Sequence, residues 1–201
     1  MKETKLGIMG GTFNPIHFGH LFTAEAARTQ FKLDEVIFMP TGMPALKKPA
    51  DLASAEERYT MTVLATATNA DFSVSRLEVE RAGPSYTVDT LREVHRQWGP
   101  ATQLFFITGA DAVLEIFTWK EPETMAGFCR FIAATRPGYD LEPIKGLIEE
   151  RSGLPAVHVM EIPALAISST DLRRRIKEKL PIRYLLPDAV ASYIYKSGLY
   201  S

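Results

Sequence analysis

The chain has 201 residues, 46% of them hydrophobic and 23% charged, enough to bury a core as a single domain over residues 1–201 without disulfide or metal staples. Its formal net charge of -1 gives no overall attraction to nucleic acid or an anionic membrane, so any phosphate affinity has to be local. One cysteine (Cys129), no start resembling a signal peptide and no uncharged stretch of membrane-spanning length lead to the expectation of a soluble, cytoplasmic protein that engages neither nucleic acid nor membrane.

In chain order, the apolar run over residues 6–9 suits a buried strand and leads straight into Gly10-Gly11-Thr12-Phe13-Asn14-Pro15-Ile16-His17-Phe18-Gly19-His20, which opens a helix-like stretch. A second strand is expected over 36–39. Residues 41–53 are the least regular stretch, punctuated by glycine and proline, and a helix should open at Ser54. A weaker strand over 72–80 precedes a helix beginning near Thr87, with Ser85 or Thr87 as its N-cap. Strands over 104–107 and 131–134 and a weaker one over 157–162 follow, with a helix start at Asp111 between the first two. Ser168 and Ser169 can cap a last basic helix whose apolar stripe is Leu172, Ile176 and Leu180. Strands without clean alternation, interleaved with helices, define a doubly wound, Rossmann-like α/β fold: a mostly parallel sheet with helices on both faces and a helical C-terminal end.

Residues 10–20 carry the chemistry. A strand ending in two glycines lets main-chain N–H groups approach a ligand, and the helix that follows offers unpaired donors and a positive dipole end to an anion. The bland alternative is a tight turn flanked by ordinary histidines. His17 and His20 fall on one face of the helix start, where they can donate to oxygens that gain charge during phosphoryl or nucleotidyl transfer. Zinc is disfavoured because the chain has four histidines and one cysteine and places no third ligand near this pair. No Gly-Lys-Ser or Gly-Lys-Thr follows the glycines, and the third glycine of the dinucleotide fingerprint is missing, which disfavours both familiar nucleotide loops. Between Asp171 and Arg183, six basic residues face two acidic ones; most form a solvated face, and Arg173 in the first turn is the one suited to fork onto a phosphate.

His17-Phe18-Gly19-His20 resembles the His-x-Gly-His hallmark of a nucleotidyltransferase superfamily, and Ile167-Ser168-Ser169-Thr170-Asp171-Leu172-Arg173 resembles its second signature, in the right order. Within it, residues 83–91, then Gly109-Ala110-Asp111, Trp119 and Arg136-Pro137-Gly138 resemble the bacterial nicotinate mononucleotide adenylyltransferases, and the resemblance runs from residue 5 to the end of the chain. It implies adenylyl transfer from ATP to nicotinate mononucleotide, giving nicotinate adenine dinucleotide and pyrophosphate, a step of NAD biosynthesis. His17 and His20 would be catalytic. Gly10, Gly11, Thr12, Phe13, Lys47, Ser168, Ser169, Thr170 and Arg173 would bind ATP, and Thr87, Val88, Asp111 and Trp119 the mononucleotide.

The resemblance implies no resident protein-bound metal; Mg2+ would arrive on the ATP phosphates, since it keeps most of its waters. Residues 41–53 then become a candidate lid, with Lys47 and Lys48 in reach of a triphosphate. Two departures stand out: Ala45-Leu46-Lys47 keeps the family's cation but drops its histidine, and Asn14 stands where many members carry aspartate. Phosphopantetheine adenylyltransferases and cytidylyltransferases share the first motif but explain less of residues 83–119. A noncatalytic nucleotide-sensing module is the rival from another class, and a homo-oligomer is compatible with the sequence.

Overall fold

The computed structural model describes residues 4–45, 51–138, 140, 142, 153, 155–163 and 165–201. Strands β1 (Lys5–Gly11), β2 (Glu35–Pro40), β4 (Phe72–Val74), β6 (Gln103–Gly109), β7 (Cys129–Thr135) and β8 (Val157–Glu161) form one sheet in the order β4-β2-β1-β6-β7-β8. The short strands β3 (Met43–Pro44) and β5 (Pro84–Ser85) pair with each other in a separate two-stranded ladder. From β1 outward through β6, β7 and β8 the pairing is parallel, with Ile8 opposite Phe106, Phe106 opposite Phe131 and Phe131 opposite Val157.

The sheet is wound outward in both directions from β1. In doubly wound sheets of this kind ligands bind beyond the carboxyl ends of the strands. Those of β1 and β6 carry Gly10, Gly11 and Gly109. The expected doubly wound α/β architecture is what the chain adopts, and the four apolar runs are its central strands.

Two compact units divide the residues. The first comprises Met1–Gly10, Thr23–Ile37 and Tyr86–Ala164. Its core is the parallel ladder: Leu6, Ile8, Ile107, Phe131, Ile132 and Ala133 are wholly buried, and their strands read as continuous apolar runs because both faces are covered. It also holds α3 (Thr87–Trp98), α4 (Ala110–Leu114) and α5 (Pro122–Met125).

The second unit comprises Gly11–Phe22, Phe38–Ser85 and Leu165–Ser201. It contains the opening of α1 (Phe18–Phe31) and the helices α2 (Ala55–Thr66), α6 (Ser169–Lys177) and α7 (Asp188–Ser197). Ser54 caps α2 as expected. The Glu57 N–H donates to Ser54 Oγ at 3.2 Å, and the Ser54 N–H donates to the Glu57 carboxylate at 2.7 Å, a complete capping box.

Two expectations are corrected in this unit. The strand over 72–80 ends at Val74, beyond which the Glu80 and Arg81 N–H groups bond back to Arg76 and Glu78 in tight turns. The apolar stripe of the last basic helix stops at Ile176: Lys179 takes φ +55, its N–H bonds Ile176 O, and the Leu180 N–H bonds Arg175 O at 2.8 Å. This double closure ends α6 and turns Leu180 outward, 41% exposed.

Candidate active site

His17 immediately precedes α1. Its carbonyl accepts from the N–H groups of His20 and Leu21 at 3.0 and 3.3 Å, and its own N–H donates to His20 Nδ1 at 3.3 Å. The His20 ring thus closes the helix start as a capping-box side chain does. Because Nδ1 accepts, the neutral His20 ring carries its proton on Nε2. The two rings stack with centroids 3.8 Å apart and planes 29° from parallel, and Phe13 meets His20 edge-on at 5.1 Å.

A Cβ on Gly19 would lie 2.9 Å from His17 Nδ1, so the approach of that ring requires glycine there. Burial lowers His17 from its usual 6.5 to about 4. Burial likewise holds His20 well below its usual value, with the neighbouring His17 as a second cause. Both rings are therefore neutral N–H donors at pH 7. His17 Nδ1 is buried without a partner, the kind of open hydrogen-bonding capacity that folded proteins leave mainly where function uses it.

The loop ahead of these histidines is braced from three directions. Arg58, 1% exposed, donates to Thr12 O at 2.9 Å, Gly42 O at 2.8 Å and Ala53 O at 3.0 Å. Asn14, 3% exposed, donates through Nδ2 to Asp51 O at 2.8 Å and accepts at Oδ1 from the Ala53 N–H at 3.1 Å and the Tyr200 hydroxyl at 2.7 Å. Asn14 thus bonds segments distant in sequence. From α6, Arg173 donates to Asn14 O at 2.8 Å and to Thr170 Oγ1 at 3.4 Å, while its Nε is buried and unpartnered. Ser169 Oγ donates to Pro15 O at 2.9 Å, and Ser168 Oγ caps α6 by accepting from the Asp171 N–H at 3.1 Å.

Most of the remaining charge on α6 pairs with itself, as expected of a solvated face: Asp171 binds Arg174 and Arg175, and Glu178 binds Arg174. Thr12, Phe13, His17, His20, Ser168, Ser169, Thr170 and Arg173 are therefore brought together within the second unit. Lys47 and Lys48 lie outside the described residues, as does the middle of the expected lid. The described margins of that stretch are tied down by Thr41 N–H to Gly11 O at 2.9 Å and by the bonds from Arg58 and Asn14. The two glycines of β1 also have a packing reason: a Cβ on Gly10 would strike the Phe106 ring at 2.9 Å, and one on Gly11 the Phe13 ring at 2.8 Å.

Within the first unit, α3 begins at Thr87, and the expected cap is corrected. Tyr86 is the N-cap and makes no side-chain capping bond, because Ser85 is held in β5 and Thr87 is already helical. Val88 is wholly buried, so the main chain is what it can offer a ligand. The segment carrying Trp119 is pinned to this helix start. Lys120 pairs with Asp89 at 2.9 Å and lies 4.9 Å from the Tyr86 ring centroid, and Arg92 pairs with Glu121. Trp119 is half-buried, its ring 6.1 Å from those of Phe106 and Phe131. Asp111 is exposed in the first turn of α4, whose N-cap is Gly109.

Sequence reasoning missed Arg58 and Tyr200. A signal for Arg58 exists: it shares the α2 face of Met61, Thr62 and Ala65, where a solvated arginine does not belong. Among the described residues no three His, Cys, Asp or Glu side chains gather as a metal site, and no helix is long and apolar enough to cross a membrane.

A parallel sheet whose first strand delivers a glycine loop and stacked histidines to a helix start defines a nucleotide-handling α/β protein. The chain belongs to the cytidylyltransferase-like family, whose pattern matches residues 8–175. It is 57% identical over 204 residues to a Moorella thermoacetica protein named "probable nicotinate-nucleotide adenylyltransferase", covering 99% of this chain and 93% of the relative. A Thermoanaerobacter relative of the same name is 50% identical over 201 residues, covering 99% and 95%. In fold, the chain is similar to a Plasmodium falciparum nicotinic acid mononucleotide adenylyltransferase complexed with NaAD, with a TM-score of 0.79 at 21% identity over 98% of this chain and 97% of that one.

Proposed function

We propose that this protein transfers the adenylyl group of ATP to nicotinate mononucleotide, releasing pyrophosphate and nicotinate adenine dinucleotide. The observation that carries the reading is the stacked, neutral His17–His20 pair at the head of α1 in a chain 57% identical to a relative named "probable nicotinate-nucleotide adenylyltransferase". An oxygen of the acceptor phosphate attacks the α-phosphorus of ATP. The new P–O bond forms as the bond to the oxygen bridging toward the β-phosphate breaks, and pyrophosphate takes the electron pair. No covalent enzyme intermediate is needed, so the protein works by alignment and by donors aimed at developing charge.

Two such donors are the Nε2–H of His20 and the ring N–H of His17. Gly10, Gly11, Thr12 and Phe13 carry the main chain toward the phosphates. Ser168, Ser169 and Thr170 present the N-terminus of α6 to the β- and γ-phosphates, where N–H groups and the helix dipole favour an anion. Arg173 adds a fork-shaped cation, and Lys47 a further charge. Magnesium enters with the triphosphate as part of the substrate. The N-terminus of α3 at Thr87 and Val88 takes the nicotinate carboxylate, Trp119 stacks on the pyridine ring, and Asp111 accepts from a ribose hydroxyl. α3 makes no side-chain capping bond, which favours that assignment, while at the N-terminus of α6 Ser168 Oγ occupies one N–H, that of Asp171. A cytoplasmic location suits these substrates.

The test is ATP labelled at the α-phosphate. With nicotinate mononucleotide present, the label should pass into a dinucleotide as unlabelled pyrophosphate appears; label that stays in ATP, or is lost as AMP, contradicts the reading.

A further inference from the structure

Asn14 is where three segments remote in sequence meet the loop ahead of His17. Its side chain makes three bonds: Nδ2 donates to Asp51 O at 2.8 Å, and Oδ1 accepts from the Ala53 N–H at 3.1 Å and the Tyr200 hydroxyl at 2.7 Å. Its main-chain carbonyl accepts from Arg173 at 2.8 Å. Tyr200 is itself 9% exposed and adopts φ +64, so its ring is packed in place rather than resting on the surface. The Tyr200 hydroxyl is a donor here because Asn14 Oδ1 can only accept. The Asp51 carbonyl, which can only accept, and the Ala53 N–H, which can only donate, set the amide orientation; the Tyr200 hydroxyl adds the second bond to Oδ1 and so holds the Asn14 side chain in the position from which its main-chain oxygen meets Arg173.

We infer that Tyr200 is a positioning residue for the nucleotide site, setting through Asn14 the seat of Arg173; this rests on the reading of Arg173 as a phosphate ligand. The phenol touches neither reacting group. Its contribution is to keep the Asn14 carbonyl, and so the guanidinium, where a triphosphate meets it without rearrangement. An asparagine suits this junction better than an aspartate, since a carboxylate has no proton for Asp51 O and would set two acceptors against each other.

Tyr200→Phe removes one oxygen and keeps the ring, so the fold is retained. Binding of ATP with magnesium, measured by titration calorimetry on the wild type and the variant, is expected to weaken by about threefold to tenfold, the size of one neutral hydrogen bond. The KM for ATP should rise in parallel, and the KM for nicotinate mononucleotide should stay within twofold (~2) of wild type, since the pyridine-binding residues are not part of this junction. In a Tyr200→Phe/Arg173→Met double variant the Tyr200 change should have no further effect on ATP binding.

A lowered melting temperature with unchanged ATP binding would reduce Tyr200 to a structural residue and overturn the inference, as would an undiminished effect in the Arg173→Met background. A wild type that binds ATP but transfers it to no pyridine mononucleotide overturns the proposed function and leaves this inference to the binding data. A wild type that does not bind ATP overturns both.

Discussion

Because Nδ1 of His20 accepts the main-chain N–H of His17, the Nε2 proton is the one this neutral ring can present to a ligand, and the stacked His17 ring is buried beside it. Replacing either ring removes a preorganised donor. His17→Ala and His20→Ala should each lower kcat by about 10²- to 10³-fold, the usual cost of losing one such donor. Steady-state turnover, with melting temperature as the control, checks this; near-wild-type turnover in both variants would remove the histidines from the chemistry. Arg173→Lys tests the other end of the site. A point charge cannot both hold Asn14 O and fork onto a phosphate, so the KM for ATP should rise by about tenfold or more, and an unchanged ATP dependence would return Arg173 to the solvated face.

Among the elements, α3 makes the most specific prediction, because Tyr86 leaves its first turn without a side-chain cap. A helix N-terminus stabilises an anion by typically 0.3–1 kcal/mol when exposed and up to about 2 when partly buried, so nicotinate mononucleotide should be preferred over its amide by roughly 2- to 30-fold. Trp119→Ala should raise the KM for both nucleotides by a similar factor, since stacking on the ring is blind to acid or amide. The ratio of kcat/KM values decides, and equal use of acid and amide would displace the carboxylate from α3.

Legibility also varies element by element. The central strands were readable because burial on both faces leaves uninterrupted apolar runs, and the start of α2 because glycine and proline punctuation ends just ahead of Ser54. The two-residue strands β3 and β5 have no periodicity to read. Leu180 misled because a stripe at helical spacing carries no mark of where a left-handed residue will end the helix. Both histidines and Arg173 were legible from local motifs. The bonds from Arg58 and Tyr200 were not, since Asn14 and Tyr200 are 186 residues apart and nothing local to either names the other.

At the scale of the whole molecule, the buried histidines tie stability to pH. His17 takes up a proton near pH 4 when folded and near 6.5 when unfolded, so between those values the unfolded chain binds more protons. The stability is fully present above pH 6.5 and is lost as pH falls toward 4. His17 alone accounts for a loss on the order of 3 kcal/mol at pH 4, and His20 acts in the same direction. Denaturant unfolding of the wild type and His17→Asn should give curves that converge as pH falls from 6.5 to 4; parallel curves would mean that His17 titrates normally.

An acceptor panel decides whether this fold moves an adenylyl group onto a pyridine mononucleotide. Pyrophosphate release from ATP and magnesium is measured with nicotinate mononucleotide, nicotinamide mononucleotide and phosphopantetheine in turn. The account predicts the highest kcat/KM with nicotinate mononucleotide, less with the amide and none above background with phosphopantetheine; turnover with phosphopantetheine that exceeds both pyridine nucleotides, or release with none of the three, would contradict it.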